Sequence, residues 1–394
     1  MKMMNNAIKL TILFILVITV VLVVQHKRNE PRVYVIHSYN TDLSWVNSID
    51  EGILSKLKSD LPSAQVRFHY MDLINHNGCN FRRRSTRDVL YGINDWKPDY
   101  ILLVDDLAQQ LIGAHYLAYE DKHFPKQSLA EQLFLQDCPG QNVDFYQQTY
   151  QKDWDALPQI VFAGVNYSVE PYGYFEAVNT QGIYEHKNFL SLSETLLDLS
   201  RYCGDERAIA VLPLNDNSTT AQREVVGFRQ YSWFPLQLIE PATVDTFDQW
   251  KQQVEIANAN QAMLLIANYQ QVKTQAGSNQ FVPANQLVNW TMANAKYPVL
   301  GAGTNFVDDG GMITVAIAGQ EQGKELVNLM KLGRQEVALV DSGVKRAEQF
   351  LVGLAARKVK QFCNNRLPAI YQAYAKETGL YRFEDVSEVL YVEP

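Results

Sequence analysis

The sequence of 394 residues lacks any long basic segment. Its net charge is −8, because 43 acidic residues outnumber 35 basic ones. The longest basic run is the triplet Arg82-Arg83-Arg84, which is typical of a solvated helix start. Nucleic-acid binding is therefore disfavoured, since it needs a concentrated positive surface. With 47% hydrophobic and 20% charged residues, the composition is that of a globular protein, and the length suggests two domains with additional segments.

The sequence also lacks the motifs of common catalytic and metal sites. It contains no GxSxG, HExxH, P-loop or GxGxxG pattern. His37 and Ser38 are adjacent, so on a strand their side chains point to opposite faces and do not form a nucleophile–base pair. The other histidines show no metal-ligand spacing. We therefore expect no enzyme, no metal and no cofactor, and a hydrolase is the less favoured alternative.

Cysteines are few and far apart. Cys79, Cys138, Cys203 and Cys363 form no CxxC redox motif and no zinc motif. In an oxidising compartment they can form up to two disulfides. The sequence alone leaves all three pairings open.

A long apolar run occurs only near the N-terminus, at residues 10–24. Its length lies between that of a signal-peptide core and that of a membrane span. No small-residue cleavage site and no lipid-accepting cysteine follow it, which favours an uncleaved anchor over a cleaved signal. We therefore predict that residues 1–28 form a single membrane-spanning helix, and that the rest of the chain lies outside the cytoplasm.

Beyond the anchor, short apolar runs alternate with segments of helical periodicity. The runs at 33–36, 100–104 and 159–165 are typical of buried parallel strands, and a helix is expected from about Trp45. The same alternation restarts near residue 190. Further strands are expected at 65–71, 208–214, 234–240, 262–267 and 297–302, and further helices at 85–96, 190–202, 245–258 (capped by Thr243 or Asp245) and 319–332 (closed by Gly333).

This alternation predicts an α/β protein with two lobes. The first lobe is expected at residues 29–189 and the second at 190–335, followed by a hinge-crossing and helical tail at 336–394. Residues 107–157 are longer than a simple connection between strands requires and are rich in aromatic residues. We interpret them as an insertion that packs on the first lobe or covers the cleft.

Polar residues follow the C-terminal end of most predicted strands. One such cluster alone is typical of a turn or a helix cap. Their recurrence in both halves favours a binding site, because ligands of open parallel sheets bind at the carboxyl ends of the strands. An aspartate of this set can pair with an ammonium group, and a helix N-terminus can hold a carboxylate. The predicted ligand-binding residues are Ser38, Tyr39, Asn40, Asp105, Asp106 and Asn166 in the first lobe, and Asn217, Ser218, Thr219, Asn268 and Asn305 in the second.

Four segments of the first half carry a combined resemblance to a known family. They are VIHSYNTDLSWVNSIDEGI (35–53), FHYMD (68–72), KPDYILLVDDLA (97–108) and PQIVFAGVN (158–166). Together they resemble the ABC-transporter substrate-binding protein family with the type I periplasmic-binding fold, in particular the branch also found as extracellular sensor halves of bacterial signalling proteins. The resemblance is strong over residues 32–170, except in the insertion, and looser over 171–335.

The resemblance implies two Rossmann-like lobes with parallel sheets, joined by a hinge and closing on a small ligand. Some relatives are similar to binders of aromatic amino acids. It further implies a periplasmic solute-binding domain, here tethered to the bacterial inner membrane, that presents a polar or amino-acid-like ligand to an ABC transporter or a membrane sensor. An interaction scaffold that binds no ligand is the alternative from a different functional class.

Overall fold

The predicted anchor at residues 1–28 lies outside the residues that the computed structural model describes. Within the described part of the chain, no helix is both long enough and apolar enough to cross a bilayer. The described residues are 30–76, 78–119, 127–149, 157–166, 168–185, 187–203, 208–337, 344–346, 350–364 and 366–382.

The first lobe is built on a six-stranded sheet in which every pairing is parallel. Its central strands are continuous apolar runs whose side chains are buried on both faces, as expected for a parallel sheet covered by helices. The strand order is β12-β5-β4-β3-β1-β2. The strands are β1 (Arg32–His37), β2 (Gln65–Tyr70), β3 (Tyr100–Val104), β4 (Gln159–Asn166), β5 (Thr180–Glu185) and β12 (Val344–Arg346).

The second lobe is built on a second, mixed sheet. Its order is β14-β13-β11-β10-β9-β6-β7, and β8 also pairs with β6. The pairing of β11 with β13 is antiparallel, and the other pairings are parallel. The strands are β6 (Ala210–Asp216), β7 (Gln237–Leu238), β8 (Ala242–Val244), β9 (Ala262–Ile266), β10 (Val299–Gly301), β11 (Ile313–Ile317), β13 (Phe350–Ala355) and β14 (Tyr381–Arg382).

Helices cover both sheets and supply the apolar side chains that complete the cores. The first lobe carries α1 (Ser44–Asp60), α2 (Cys79–Trp96), α3 (Asp106–Leu111), α4 (Leu129–Asp137) and α5 (Asp144–Thr149). The following helices are α6 (Phe189–Tyr202), α7 (Thr219–Gln230), α8 (Phe247–Ala259), α9 (Ala284–Asn294), α10 (Asn305–Asp308), α11 (Gly319–Val337), α12 (Ala356–Cys363) and α13 (Ala369–Glu377).

Helix α11 packs on the first lobe, although the sequence prediction assigned residues 190–335 to the second. It lies against α1 and β4, and its Leu326 and Met330 join the first lobe's core. Two glycines permit this close contact. A Cβ atom added to Gly52 would lie 2.3 Å from the carbonyl oxygen of Gln320, and one added to Gly323 would lie 2.1 Å from that of Ile49. The chain therefore crosses between the lobes three times: after β5, after β11 and after β12.

Other local expectations also differ from the structure. The strand expected at 234–240 is reduced to β7, because Phe234 is exposed and Pro235 has no N–H to donate to a sheet. Thr246 caps α8 in a capping box with Gln249, in place of Thr243 or Asp245. Helix α11 continues past Gly333, since a glycine inside a helix weakens it without ending it. The expected tail contributes strands to both sheets as well as two helices.

The described residues of the insertion pack on the first lobe, which is one of the two arrangements expected from the sequence. Phe134 of α4 and Tyr146 of α5 are buried in the core beneath the sheet. A disulfide between Cys79 and Cys138 joins the start of α2 to the end of α4. The second disulfide, Cys203–Cys363, joins the ends of α6 and α12. The structure thus selects one of the three pairings that the sequence leaves open.

Candidate ligand-binding site

A cavity of about 110 Å³ lies between the two sheets. Strand ends of both lobes surround it, because the C-terminal ends of the parallel strands face each other across the cleft. Its lining residues are Tyr39, Leu43, Trp45, Ile74, Asp105, Asn166, Glu185 and Lys187 from the first lobe and its connection, and Asp216, Ser218, Thr220, Glu224, Ala267, Asn268, Gln270, Gln271, Gly303, Thr304, Asn305, Ala316 and Ile317 from the second.

Asp105 lies where β3 ends, with a φ of 77° that non-glycine residues rarely adopt. Its carboxylate accepts a hydrogen bond from the backbone N–H of Asp106 at 2.6 Å and another from the hydroxyl of Tyr39. Burial and the neighbouring charge of Asp106 raise the pKa of Asp105 well above its usual value. Strained backbone of this kind clusters at functional sites, which supports the prediction that Asp105 and Tyr39 face a ligand.

Asp106 forms a bridge between the lobes. Its carboxylate accepts hydrogen bonds from Tyr172 at 2.5 Å, from Arg223 of α7 at 2.9 Å and from Asn166 at 3.2 Å. Burial raises the pKa of Asp106, and the Arg223 guanidinium opposes that shift. Asp106 lines an adjoining cavity of about 130 Å³ that includes Arg223 and Tyr172, not the cavity described above.

The volumes of the two cavities are similar, but only the cavity at the strand ends is lined by strand residues of both sheets. The adjoining cavity lies against α3 and α7. Asp106 and Arg223 are already matched to each other there. We therefore take the cavity at the strand ends as the candidate ligand site and the Asp106–Arg223 pair as a contact that holds the lobes together.

Ser38 and Asn40 do not line either cavity. The Ser38 hydroxyl is fully buried, donates to the carbonyl of Val104 at 3.1 Å and accepts from the N–H of Ala108 at 2.8 Å. Asn40 donates to Asp72 at 2.8 Å within a surface turn. Both side chains therefore support the fold of the strand end, and neither faces one of the two cavities.

His37, beside Ser38, is turned away from it. Its Nε2 lies 2.8 Å from the carboxylate of Asp50, which also accepts from Tyr70. The adjacent His37 and Ser38 thus form no catalytic pair. Among the described residues, no group of three or more histidines, cysteines and acids is arranged to hold a metal ion.

Four of the five predicted residues of the second lobe divide into two groups, and the side chain of the fifth, Thr219, lies outside what the structure describes. Ser218 and Asn268 line the cavity, and so does Asn305, which accepts a hydrogen bond from Ser44 of the first lobe. Ser218 also caps α7, which begins at Thr219. Asn217 is exposed, lines the adjoining cavity and accepts from Gln222. Whether these side chains bind a ligand stays a prediction.

A charged group at the cavity escaped the sequence prediction. Lys187 pairs with Glu224 at 3.0 Å and donates to the carbonyl of Ala302 at 3.1 Å. Glu224 also accepts from Asn268 at 2.7 Å. Glu185, the last residue of β5, lies beside this pair. Its strand, TQGIYE, has no apolar run, so the pattern of a polar residue after an apolar strand, which identifies Asp105, does not identify Glu185.

Burial raises the pKa of Glu185 to about 7, Lys187 opposes this shift, and Glu224 adds to it. A carboxyl whose pKa is higher in the folded state than in the unfolded state costs stability as the pH rises from about 4.5 towards 7. The Glu185→Gln variant carries no such cost. We therefore expect it to exceed the wild type in stability at pH 8, by at most about 3 kcal/mol, with no such gain at pH 4.5.

Urea denaturation of both proteins at the two pH values measures this difference. Glu51→Gln, at an exposed position of α1, is the matched control and is expected to change stability equally at both pH values. Equal stability of Glu185→Gln and wild type at pH 8 would contradict the prediction.

No protein-family model matches the sequence, and no curated protein matches it. Solved structures do share its fold. A conserved domain protein from Vibrio cholerae is 12% identical, with 88% of this chain and 99% of that chain covered and a TM-score of 0.54. An ABC domain in complex with L-Trp from Streptococcus pneumonia is 12% identical, with coverage of 87% and 98% and a TM-score of 0.55. The chain has the type I periplasmic-binding fold that the sequence resemblance implied.

Proposed function

We propose that this chain is an extracytoplasmic solute-binding protein whose lobes close on a small polar or amino-acid-like molecule. The observation that supports this best is the cavity of about 110 Å³ enclosed by the strand ends of both lobes. Crevices at this position are the usual ligand sites of open α/β sheets. The volume limits the occupant to a small molecule, and the hydroxyl, amide and carboxylate side chains in the lining suit a polar one.

Contacts across the cleft connect binding to a signal. The Arg223–Asp106 pair and the Ser44–Asn305 hydrogen bond each join one lobe to the other. Such contacts form when the lobes are together, so a ligand that favours closure also favours them. An inner-membrane ABC transporter or a membrane sensor is the partner we propose for the closed form.

The location we propose is the bacterial inner membrane, with residues 1–28 as a single anchor and the binding domain in the periplasm. The two disulfides support an oxidising compartment. A tether raises the concentration of the domain near membrane partners, which suits delivery to a transporter or sensor. Mass spectrometry of the native protein tests this proposal, because signal cleavage would give an N-terminus near residues 25–32.

Thermal melts of the full chain in detergent test the binding function. The panel contains amino acids, amines, nucleosides and monosaccharides. A ligand present at 100 times its Kd is expected to stabilise the protein by about 2.7 kcal/mol and to raise the Tm. Tyr39→Ala, in the cavity, is expected to abolish the shift, whereas Tyr91→Ala, on the exposed face of α2, is expected to retain it.

Each other outcome favours a different function. No shift with any class of compound favours the interaction scaffold. If mass spectrometry shows that a bound compound is recovered in hydrolysed form, a hydrolase is favoured. A shift that Tyr39→Ala leaves intact places the ligand elsewhere on the protein.

A further inference from the structure

Resting on the solute-binding function proposed above, we propose that the ligand is a small amine that carries a net positive charge, with no carboxylate of its own, and that Glu185 holds its ammonium group. The balance of charge in the cavity and two lining side chains without hydrogen-bond partners support this assignment.

The charge of the cavity lining is strongly unbalanced. Four carboxylates line it, and Lys187 is the one lysine or arginine among the described lining residues. Lys187 is already paired with Glu224 and bonded to a backbone carbonyl. Arg223 lies outside this lining and is engaged by Asp106 and Tyr172. No uncommitted cation is therefore present in the described lining to neutralise a ligand carboxylate, and burying an unneutralised carboxylate is costly.

One of the four carboxylates is suited to a ligand cation. Three of them accept at least two hydrogen bonds each from protein donors. Glu185 forms no ion pair with any residue in the described part of the chain, and the neighbouring Gln322 side chain is neutral. The donors to the other three are Asp106 N–H and Tyr39 for Asp105, Ser218 N–H and Gln271 N–H for Asp216, and Lys187 and Asn268 for Glu224.

Two further lining side chains provide independent evidence for a ligand. The Thr304 hydroxyl belongs to a residue that is only 6% exposed, and it has no hydrogen-bond partner among the described residues. The indole N–H of Trp45 likewise has none. A buried polar group without a partner is costly, so both are expected to bond when the cavity is filled. The hydroxyl can accept from an ammonium group, whereas the indole can only donate, which requires a neutral acceptor such as a ligand hydroxyl.

Matched sets of small molecules test the charge requirement. Each set shares one side chain and consists of an amino alcohol, the α-amino acid and the 2-hydroxy acid: alaninol, alanine and lactate; leucinol, leucine and 2-hydroxy-4-methylpentanoate; phenylalaninol, phenylalanine and phenyllactate. Isothermal titration calorimetry of the full chain at pH 7.5, where these amines are mainly protonated, measures each affinity, with monosaccharides as neutral competitors. We expect the amino alcohol of at least one set to bind about ten-fold more tightly than its amino acid, and the hydroxy acid to show no binding.

Variants test the assignment to Glu185. Glu185→Gln is expected to weaken amino-alcohol binding about ten- to hundred-fold. The ratio of the affinity for the amino alcohol to that for the amino acid is expected to fall as well. The matched control is Glu131→Gln, which changes a buried glutamate of α4 that accepts from Gln147 and is not part of the cavity lining; it is expected to bind as the wild type does. A melting curve of each variant confirms that it is folded, and Glu185→Gln is expected to be no less stable than the wild type.

The outcomes separate this inference from the function on which it rests. Preference for the amino acid, the hydroxy acid or a monosaccharide would overturn the amine proposal and leave solute binding intact. Unchanged amine affinity in Glu185→Gln would overturn the role of Glu185. Absence of binding by every compound, including the full panel used for the thermal melts, would overturn both proposals.

Discussion

The Arg223→Gln variant is expected to bind its ligand about ten- to hundred-fold more weakly than the wild type. Arg223 of the second lobe pairs at 2.9 Å with Asp106, whose side chain is only 6% exposed. Removing one partner of a buried pair leaves the other charge uncompensated, which costs about 3–5 kcal/mol in a fully buried setting. Because Arg223 itself is 27% exposed, we expect about 1–3 kcal/mol here.

The loss of the pair destabilises the closed arrangement of the lobes relative to an open one, because the pair joins the two lobes. A ligand that binds the closed form then loses affinity by the same factor. Isothermal titration calorimetry measures the loss, and small-angle scattering of the ligand-bound protein is expected to show a larger radius of gyration for the variant. Adding Asp106→Asn to Arg223→Gln removes the stranded charge and is expected to restore part of the affinity.

Arg229→Gln is the matched control for this variant. It changes the same residue type on the same helix, α7, but Arg229 pairs with Glu240 within the second lobe, and both side chains are largely exposed. Exposed pairs of this kind contribute about 0–1 kcal/mol. Wild-type affinity and wild-type dimensions in Arg223→Gln would show that the Asp106–Arg223 pair does not hold the lobes together.

Removal of the Cys203–Cys363 disulfide is expected to produce the largest loss of stability. The bond closes a loop between residues 160 positions apart, and loop-closure entropy then stabilises the folded state by about 5 kcal/mol. Both cysteines are buried in the second lobe's core, where they fasten α12 to α6. Urea denaturation of Cys203→Ala/Cys363→Ala measures the change, with the free energy of unfolding extrapolated to water.

The other disulfide supplies the comparison. Cys79 and Cys138 are 59 positions apart, so the same entropy argument gives about 4 kcal/mol for their removal. In each double variant, the lobe that loses its disulfide should be as stable as the same lobe in the reduced wild type. A loss below about 1 kcal/mol for Cys203→Ala/Cys363→Ala would mean that the second lobe's core holds α12 without the covalent bond.

Local patterns in the sequence predicted most of the strands and helices, because each depends on neighbours along the chain. The run YILLV has the same bounds in the structure as in the prediction, since five consecutive apolar residues suit a strand buried on both faces. The position of α11 was not predictable in this way. Its lobe depends on Gly52 and Gly323, which are distant in sequence and matter only because they let two helices touch.

Only the part of the candidate site that depends on local sequence patterns was predicted. Asp105 and Asn166 follow conspicuous apolar strands, and both line the cavity. Ser38 follows such a strand too, but its hydroxyl is used by backbone groups of a neighbouring strand and helix, which the sequence does not reveal. Glu185, Lys187 and Glu224 meet only through the pairing of β5 with β4 and the docking of α7 across the cleft. Their charge balance is a property of the assembled lobes.

The three crossings of the chain between the lobes have a mechanical consequence. One covalent link would let the second lobe swivel freely, and two would still permit rotation about the line that joins them. Three links at separate places oppose both sliding and twisting, and leave rotation about one axis near them as the easiest motion. Because α11 begins at one link and its glycine contact with α1 is tight, torque at that link passes directly into the first lobe's core. The lobes are thus constrained to meet in a single register, the one in which Arg223 lies against Asp106.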